Sequence, residues 1–514
     1  MFRLRLSVQC FTGIVLKGFY FAQKNIGMLK KILLFLLLAI VVLAVVIVFN
    51  TIKLKSKQVK VAASEVVKVE TDEAAVARLS QAVRYKTISY DEPGLTDYSQ
   101  FDSLHAFFQS AYPLVHQKLE RTLINKYSSL YHWKGKNAGL KPILMYAHLD
   151  VVPIEEVNRN QWVVEPFGGE VKDGFIWGRG TLDDKGSALA ILEAVERLLK
   201  NDFVPERDIY ISFGHDEEIG GNEGAGKIAE YLAANKVMAE FHLDEGGLVS
   251  HGMVPGVSKD FALIGTAEKG FLTLELTVKM KGGHSSRPPK QSALGTLVTA
   301  LAKLEAHTFE RTASITVNDF IDYVGPEMGM PLKAVFANKW LFKGLILDEY
   351  QKSVEGNATV RTTGVPTVLH AGIKENVVPS EASAKVNFRI LQGETTADVI
   401  KKVKDIIQND TVKITPFGVV FEPSKNSSPE RYGFKLIQNT TAKIFPDACV
   451  APFLLIGSTD SKHFEQVAEN AYRYLPVRMD GEELSKIHGV NERIAVSAHM
   501  ECIAFYETLI KDLK

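Results

Sequence analysis

The chain has 514 residues, of which 46% are hydrophobic and 23% charged, so a globular protein of two or more domains is expected. Lysine plus arginine equals aspartate plus glutamate, 60 against 60, and this balance gives no indication of a nucleic-acid partner, which would usually need a basic surface. The three cysteines, Cys10, Cys449 and Cys502, form neither a disulfide framework nor a thiolate zinc site. Any metal must therefore be bound by histidine and carboxylate side chains, which suits a catalytic zinc site.

An unbroken apolar run covers residues 32–49, and its length is close to the ~20 residues that cross a bilayer as a helix. Several basic residues and no acidic residue precede the run, which favours a cytoplasmic amino terminus, but the lysines that follow the run weaken this preference. No small-residue cleavage site follows, so an uncleaved anchor is preferred to a signal peptide. A start at Met28 instead of Met1 would leave an opening like an export signal. We expect an anchor and stalk over residues 1–63, and a single-pass membrane protein whose enzyme lies outside the cytoplasm.

The next part of the chain, residues 64–266, is predicted to be the first part of a catalytic domain. Hydrophobic spacing predicts helices over 72–84, 101–112 and 188–199, and strands over 123–133, 141–147, 207–213 and 238–243. The strand over 141–147 is apolar on both faces, as in the centre of a parallel sheet. The sequence thus indicates an α/β fold with a mixed, mostly parallel sheet flanked by helices.

The strand over 141–147 ends at His148 and Asp150. Residues two apart in an extended segment point the same way, so Asp150 can accept the free imidazole N–H of His148 and fix its tautomer. Taken alone, this pair also fits a structural histidine beside a surface aspartate.

The segment GRGTLDDKG at 178–186 carries Asp183 and Asp184 directly before a predicted helix. These aspartates would be helix caps in the simplest interpretation. The three glycines of the segment favour a functional role, because they let backbone and metal approach closely.

Two further acidic pairs follow predicted strands, Glu217 and Glu218 in GHDEE and Asp244 and Glu245 in LDEGG. Glu217 and Glu218 must diverge, so one of them can bind a metal while the other faces water; for this pair taken alone, a surface acidic pair is the favoured alternative. Parallel strands bring their carboxyl ends to one edge of a sheet. The four motifs with histidine or acidic residues after predicted strands therefore together predict a two-metal hydrolytic site.

A second pattern begins after residue 266. Strands over 271–280, 367–373, 382–391 and 412–420 and helices over 293–306 and 396–407 give the order of a split βαβ unit. We expect an inserted ferredoxin-like α+β lid domain over 267–423, interrupted by an aromatic excursion over 309–361. The chain then returns to the catalytic domain over 424–514, with helices at 432–444 and 497–510.

The motifs DVVP, GRGTLDDKG, GHDEE, DEGG, GGHSS, NVVPS, VNFRI and IHGVNE carry a family resemblance. The chain resembles the co-catalytic zinc metallopeptidases that include aminoacylase, succinyl-diaminopimelate desuccinylase and glutamate carboxypeptidase. It is most similar to Gly-Xaa carboxypeptidase (yeast carboxypeptidase S) and the secreted N-acyl-amino-acid hydrolase/synthase. The resemblance spans roughly residues 65–513 and leaves out the apolar run.

The resemblance implies two Zn²⁺ ions in one active site, with Glu217 as general base. The implied metal ligands are His148 on one zinc, Asp183 between both, Glu218 and His488 on the other, and the acidic residue after the fourth strand. That acidic ligand is Glu245, with Asp244 as a competitor that the sequence does not separate. The family pattern also implies a cis peptide bond between Asp183 and Asp184. His463, in GSTDSKHF, is not expected to be a ligand.

The resemblance also assigns substrate-binding residues. His284 would stabilise the oxyanion, Asn376 would help at the same oxygen, and Arg389 would bind a substrate carboxylate, although a sheet-edge salt bridge is the alternative for Arg389. Ser458 and Thr459 belong to a segment that lines the substrate site. In relatives, the histidine that corresponds to His284 often comes from a partner subunit. The resemblance therefore implies a homodimer through the lid.

These observations predict a zinc-dependent hydrolase that cleaves the amide bond next to a free amino-acid carboxylate, as a Gly-Xaa carboxypeptidase or N-acyl-amino-acid hydrolase does. A dipeptidase or aminoacylase of the same family is the near alternative. A non-catalytic, membrane-tethered binding protein is the alternative from another class; it predicts a lost base or ligand, yet every such position is filled.

Overall fold

The computed structural model of the protein describes residues 4–254, 257 and 259–514, and for residues 4–27 it describes the backbone alone. Met1, one of the two candidate start residues, lies outside the described residues. The sixteen α-helices of the described residues are α1 (Leu4–Lys53), α2 (Glu73–Val83), α3 (Tyr98–Ala111), α4 (Pro113–Lys118), α5 (Lys185–Lys200), α6 (Ala225–Ala234), α7 (Ala293–Ala306), α8 (Ile315–Val324), α9 (Leu332–Ala337), α10 (Lys339–Tyr350), α11 (Val354–Thr359), α12 (Thr396–Ile407), α13 (Tyr432–Ile444), α14 (Ser461–Phe464), α15 (Gly481–Leu484) and α16 (Val496–Lys511).

The strands fall into one large and three smaller sheets. In chain order they are β1 (Glu120–Ile124), β2 (Ser128–Trp133), β3 (Ile143–His148), β4 (Val171–Lys172), β5 (Phe175–Trp177), β6 (Ile209–Gly214), β7 (Phe241–Asp244), β8 (Val249–Ser250), β9 (Phe261–Glu268), β10 (Gly270–Lys279), β11 (Gly283–His284), β12 (Thr363–Ala371), β13 (Val377–Val378), β14 (Glu381–Ile390), β15 (Val412–Phe421), β16 (Cys449–Leu455), β17 (Ala471–Arg473), β18 (Arg478–Met479) and β19 (Arg493–Ala495).

The large sheet has the order β1-β2-β6-β3-β7-β17-β9-β8-β18, and β16 pairs with β9. Its central strands β6, β3, β7 and β17 are parallel to one another, and β16 is parallel to β9. All six residues of β3 are buried, as predicted for a strand apolar on both faces. The α/β class with a mixed, mostly parallel sheet is thus confirmed, and the carboxyl ends of β3, β6 and β7 share one edge.

Helices pack on this sheet through their apolar faces. The helix α5 contacts β3 and also packs against α16. One face of α6, with Ile228 and Leu232, packs against Leu130 and Leu144 of the sheet in a buried cluster. The predicted helices over 72–84, 101–112, 188–199, 432–444 and 497–510 correspond to α2, α3, α5, α13 and α16.

One predicted strand is wrong in its detail. The run over 123–133 is a hairpin of β1 and β2 and not a single strand. The turn between them contains Asn125 and Lys126, both with positive φ, 46° and 73°. Asparagine tolerates this conformation, but lysine gives no turn signal, which is why the pattern concealed the hairpin.

A four-stranded antiparallel sheet with the order β12-β14-β10-β15 follows in the chain. Alternate residues of β10 and β14 face α7 and α12, and their apolar side chains are buried together in one cluster, which includes Leu272, Leu274, Leu276, Val278, Ala384, Val386, Phe388, Leu297, Val399 and Val403. A capping box of Thr395 and Asp398 begins α12. The strand order and the two helices are those of the predicted split βαβ unit.

The chain divides into two compact units. The first comprises Met1–Ser56 with Gly325–Lys343, and the second comprises Lys57–Val324 with Gly344–Lys514. All four sheets of the described residues belong to the second unit, so the predicted division into a catalytic domain and a lid stays a prediction. In the first unit, α1 extends well beyond the predicted apolar run, and α9 packs against it.

Candidate metal centre

His148 closes the fully buried strand β3 and is itself buried. Its Nε2 lies 2.8 Å from Oδ1 of Asp183 and 3.4 Å from Oε1 of Glu245. Its Nδ1 lies 3.0 Å from the carbonyl oxygen of Asp150 and 3.4 Å from that residue's Oδ1. The ring is therefore oriented by both the carbonyl and the carboxylate of Asp150, so that Nε2 faces the acidic cluster.

Asp183 also meets a histidine from the far end of the chain. His488 Nε2 lies 2.9 Å from Oδ2 of Asp183 and 3.1 Å from Oε2 of Glu218. His488 has a positive φ of 59° and is half exposed, whereas Glu218 is buried. Asp183 thus stands between His148 on one side and His488 with Glu218 on the other.

Two sets of side chains are close enough to hold a cation each. His148, Asp183 and Glu218 form one, and His148, Asp184 and Glu245 form the other, with ligand atoms within 4.8 Å of one another in each set. Asp184 was not among the predicted site residues. The Asp183–Asp184 peptide bond is cis, as the resemblance implied. Asp184 occupies the N-cap position of α5 but makes no capping hydrogen bond, so the interpretation as a helix cap does not hold for it.

The side chains of the adjacent residues Asp244 and Glu245 point in different directions. Asp244 is buried, and its Oδ2 accepts a hydrogen bond of 2.9 Å from Ser461 while its Oδ1 accepts the N–H of Glu245. Glu245 turns instead toward His148 and Asp184. Of the two, Glu245 is the one whose carboxylate faces the cluster.

Glu217 and Glu218 are likewise held by their backbone. Their amide groups donate to the two oxygens of Asp150, each at 3.1 Å. Ser89 donates to the same carboxylate. Asp150 therefore holds two parts of the site in place, the ring of His148 and the short helical turn that carries both glutamates. The sequence spacing of His148 and Asp150 predicted only the first of these two roles.

Opposite charges and burial move the pKa values of these groups. Hydrogen bonds to Asp183 and Glu218 raise the pKa of His488 to about 10. Burial and then the charge of Asp183 raise the pKa of Glu245 to about 8. Burial opposes ionisation of Asp183 too, but hydrogen bonds from both histidines hold its pKa below the usual value. Without a cation the cluster retains protons at neutral pH, and a bound cation would displace them.

The donor set fits a divalent metal. Imidazole nitrogens and carboxylate oxygens are the ligands of hydrolytic zinc sites. Among the described residues, neither carboxylate oxygen of Asp184 nor Oε1 of Glu218 has a hydrogen-bond partner, although all three are buried. Buried carboxylate oxygens are normally paired, so these atoms are suited to a cation.

Glu217 lies beside this cluster with an altered acidity. Burial and then the charge of Asp460 raise the pKa of Glu217 well above its usual value. Asp460 is fully buried, accepts the hydroxyl of Tyr146 and lies near Lys462. Sequence reasoning missed Asp460, although it stands in the motif GSTDSKHF.

A buried ion pair joins the segments that carry Asp183 and His488. Arg179 Nη1 donates to Glu492 at 2.6 Å, and Arg179 Nη2 donates to the carbonyls of His488 and Gly489. Glu492 also accepts the amides of Gly180 and Leu182 at 2.8 and 2.9 Å. Arg179 and Glu492 were not predicted, although both belong to quoted motifs, because only the fold shows that these motifs meet.

The predicted substrate-binding residues lie in different places. His284 and Asn376 are both exposed, close together on the ribbon of β11 and β13, where Ser285 donates to the carbonyl of Asn376. Among the described residues no hydrogen bond or ion pair links them to the acidic cluster. His463 lies outside both cation sets, with Nε2 2.9 Å from the carbonyl of Gly220.

Arg389 lies on β14 of the four-stranded sheet, whereas Ser458 and Thr459 follow β16 of the large sheet. Thr459 donates twice to Glu268, which is buried and also 3.1 Å from Arg473. Arg389 is half-buried over the ring of Phe271, at 4.6 Å, and its Nη1 has no hydrogen-bond partner among the described residues. Ser458 is half-buried. The predicted alternative for Arg389, a salt bridge, is not formed within the described residues.

A histidine and carboxylate cluster at the carboxyl edge of a mostly parallel sheet, with the half-buried Glu217 beside it, defines a metal-dependent hydrolase. Residues 144–512 match the model of peptidase family M20/M25/M40. The chain belongs to this family and is therefore a metallopeptidase or amidohydrolase, so the predicted class of enzyme and the family resemblance are confirmed.

Three relatives illustrate the match. A probable carboxypeptidase S-like 2 of Dictyostelium discoideum is 39% identical over 95% of this chain and 94% of its own length. The N-fatty-acyl-amino acid synthase/hydrolase PM20D1 of Xenopus tropicalis is 37% identical over 85% of each chain. Carboxypeptidase S of Saccharomyces cerevisiae is 28% identical over 85% of this chain and 84% of its own.

Solved structures share the fold. An M20 family metallo-carboxypeptidase from Sulfolobus solfataricus covers 86% of this chain and 99% of its own, with a TM-score of 0.63 and 20% identity. A dinuclear metal-binding M20 peptidase from Bacillus subtilis covers 86% and 99%, with a TM-score of 0.52 and 14% identity.

Proposed function

We propose that this protein is a zinc-dependent hydrolase of amide bonds that lie next to a free amino-acid carboxylate, as in Gly-Xaa dipeptides or N-acyl amino acids. The observation that carries the proposal is the meeting of His148, Asp183, Glu218, Glu245 and His488 at one sheet edge, with Glu217 beside them. The printed names of the relatives, carboxypeptidase S-like proteins and N-fatty-acyl-amino acid synthase/hydrolases, support this class of substrate.

The five ligands would hold two Zn²⁺ ions, with Asp183 shared between them. The B. subtilis peptidase of the same fold, which is described as binding a dinuclear metal, supports the number of ions. Bound there, two such ions would polarise a substrate carbonyl and lower the pKa of water to about 7. Asp150 holds His148 in the orientation that turns Nε2 to the metal.

Glu217 is the general base. It takes a proton from the attacking water and then gives it to the leaving amine. The raised pKa of this carboxyl, caused by burial and by the charge of Asp460, suits a group that must both accept and return a proton near neutral pH. The hydrogen bond from the backbone amide of Glu217 to Asp150 keeps the side chain of Glu217 beside the metal ligands.

Arg389 binds the free carboxylate of the substrate. Its buried Nη1, which has no hydrogen-bond partner among the described residues, and its position over the ring of Phe271 leave a guanidinium group ready for a carboxylate. Ser458 and Thr459 line the same substrate site, where Glu268 orients Thr459.

His284 and Asn376 stabilise the oxyanion from the ribbon of β11 and β13 in the predicted lid. Because both are exposed and unlinked to the cluster within the described part of this chain, their contribution would come from a partner subunit in a homodimer. Sedimentation of the purified protein with and without a substrate analogue tests the dimer.

The helix α1 anchors the enzyme in a membrane with its active site outside the cytoplasm. Residues Met28–Lys53 are long and apolar enough to cross a bilayer, and a signal sequence near an amino terminus passes the same test. Sequencing the amino terminus of the mature protein separates the two, because an uncleaved anchor keeps the apolar run.

The activity is tested by amino-acid release from a panel of blocked dipeptides, N-acyl amino acids and the corresponding amides without a free carboxylate. We expect release from the carboxylate substrates, loss of release with a chelator and recovery with Zn²⁺. Cleavage of the amides at an equal rate would contradict the role of Arg389, and chelator-resistant release would contradict the metal mechanism. Release from free dipeptides alone would favour the dipeptidase alternative.

A further inference from the structure

The segment Gly325–Lys343 forms a compact unit with the carboxyl end of α1. Asn338 is fully buried there; it accepts a hydrogen bond from Asn50 Nδ2 at 2.8 Å and donates to the carbonyl of Ile47 at 3.2 Å. The hydroxyl of Ser56 donates to Glu327. These contacts attach the segment to α1 at the point where its apolar run ends.

The exposed surface of this segment carries large apolar side chains. Met330 is 70% and Trp340 61% exposed, and Leu332 and Leu341 are also exposed. Exposed apolar side chains concentrated on one short segment are unusual on a soluble surface. They adjoin an α1 whose own apolar side chains, such as Phe49, are exposed as well.

The charges around the segment suit the headgroups of a bilayer. Lys53 and Lys343 are exposed and Lys333 is partly exposed. The one acidic side chain within 325–343, Glu327, is hydrogen-bonded to Ser56. Lysines favour anionic lipid headgroups, and tryptophan is enriched at the level where headgroups meet acyl chains.

We propose that residues 325–343 are a second membrane contact, which lies in the interface of the leaflet where α1 ends. The inference rests on the membrane anchor proposed above. The occupant is lipid because the segment is attached next to the end of a membrane-crossing run, so a bilayer around that run also reaches the exposed apolar side chains. The sequence alone indicated no function for the excursion over 309–361. Residues 325–343 of this excursion would thus contact the membrane.

Tryptophan fluorescence in lipid nanodiscs tests the contact directly. The chain has four tryptophans, Trp133, Trp162, Trp177 and Trp340, and only Trp340 belongs to this unit. The full-length protein is placed in nanodiscs of phosphatidylcholine and phosphatidylserine, with or without bromine atoms on the acyl chains near the glycerol. We expect the brominated lipid to quench part of the emission and Trp340→Phe to abolish that quenching. The matched control Trp162→Phe should retain it.

A second variant tests the attachment to α1. Asn338→Ala removes both hydrogen bonds to the helix, and we expect it to weaken the quenching of Trp340 while the protein stays in the membrane fraction after carbonate extraction. Equal quenching in the wild type and Trp340→Phe, with a carbonate-resistant protein, would overturn the membrane contact and leave the anchor standing. Release of the protein by carbonate would overturn the anchor and the contact with it.

Discussion

At the scale of residues, Glu217 and Glu218 show how neighbouring carboxylates acquire different tasks. The backbone amides of both residues donate to Asp150. The side chain of Glu218 lies 3.1 Å from His488, whereas burial and the charge of Asp460 raise the pKa of Glu217. The first arrangement suits a metal ligand and the second a base.

The substitution Glu217→Gln separates these tasks. It keeps the shape of the side chain but removes its ability to accept a proton, so we expect kcat to fall by a factor of about 10² to 10⁴ with metal content unchanged. Turnover on an N-acyl amino acid and metal analysis of the same sample measure both effects. Glu230→Gln, an exposed change on α6, is the control and should leave both values unaltered; near-normal kcat in Glu217→Gln would contradict the assignment.

Asp244 and Glu245 offer a second comparison between neighbours. Glu245→Gln removes a proposed metal ligand and should abolish tight binding of one metal ion. Asp244→Asn alters a carboxylate that is bound by Ser461 and should weaken metal affinity by only about 10–100-fold. Competition with a chromogenic chelator measures both affinities, and the opposite ranking would make Asp244 the ligand.

At the scale of elements, the acidic cluster depends on two loops far apart in sequence. The loop at 178–183 and the turn that carries His488 are joined by the buried pair of Arg179 and Glu492. Glu492 accepts two backbone amides of the first loop, and Arg179 donates to two carbonyls of the second. The pair therefore positions Asp183 relative to His488.

The substitution Glu492→Gln leaves Arg179 as a buried cation without its anion. We expect it to lower the free energy of unfolding by about 3–5 kcal/mol and to weaken zinc binding, because breaking a buried pair leaves an uncompensated charge. Chemical denaturation and zinc titration measure these losses. Breaking the exposed pair of Lys227 and Glu230 by Glu230→Gln should leave the free energy of unfolding nearly unchanged. Equal losses in both variants would contradict the positioning role.

Elements with a regular hydrophobic period could be predicted from the sequence. The strands β10 and β14 alternate strictly, and α7 and α12 have the predicted bounds. The hairpin of β1 and β2 was concealed by a turn without glycine, and the excursion has no single period. In the site, residues at strand ends, such as His148, could be anticipated because parallel strands end together. Asp460 and Glu492 could not be predicted, because their hydrogen-bond partners lie more than 200 residues away in the sequence. Asp460 is bonded to Tyr146 and Glu492 to Arg179, and no local sequence pattern reveals such contacts.

At the scale of the whole molecule, buried neutral histidines couple folding to pH. Burial lowers the pKa of His105 to about 4 and that of His499 to about 3. His105 lies 2.9 Å from the carbonyl of Tyr127 through Nε2 and accepts a hydrogen bond from Arg121 at Nδ1. This arrangement requires the uncharged ring, since a proton at Nδ1 would face a guanidinium group.

These histidines predict acid sensitivity. The pKa of His105 is depressed in the folded state, so its contribution to stability is complete above the unfolded value near 6.5 and is lost as the pH falls toward 4. The loss is about 1.4 kcal/mol per pH unit in that window. His105→Gln, whose amide can serve both neighbours without titrating, should show a smaller decline in unfolding free energy between pH 6.5 and 4. Parallel curves for the two proteins would contradict the prediction.

The most direct measurement of the central claim is anomalous X-ray diffraction at the zinc edge from crystals grown with Zn²⁺. We expect two peaks about 3.5–4 Å apart, both in contact with Asp183, one beside His148 and Glu245 and the other beside Glu218 and His488. A single peak, or peaks away from these residues, would contradict that claim.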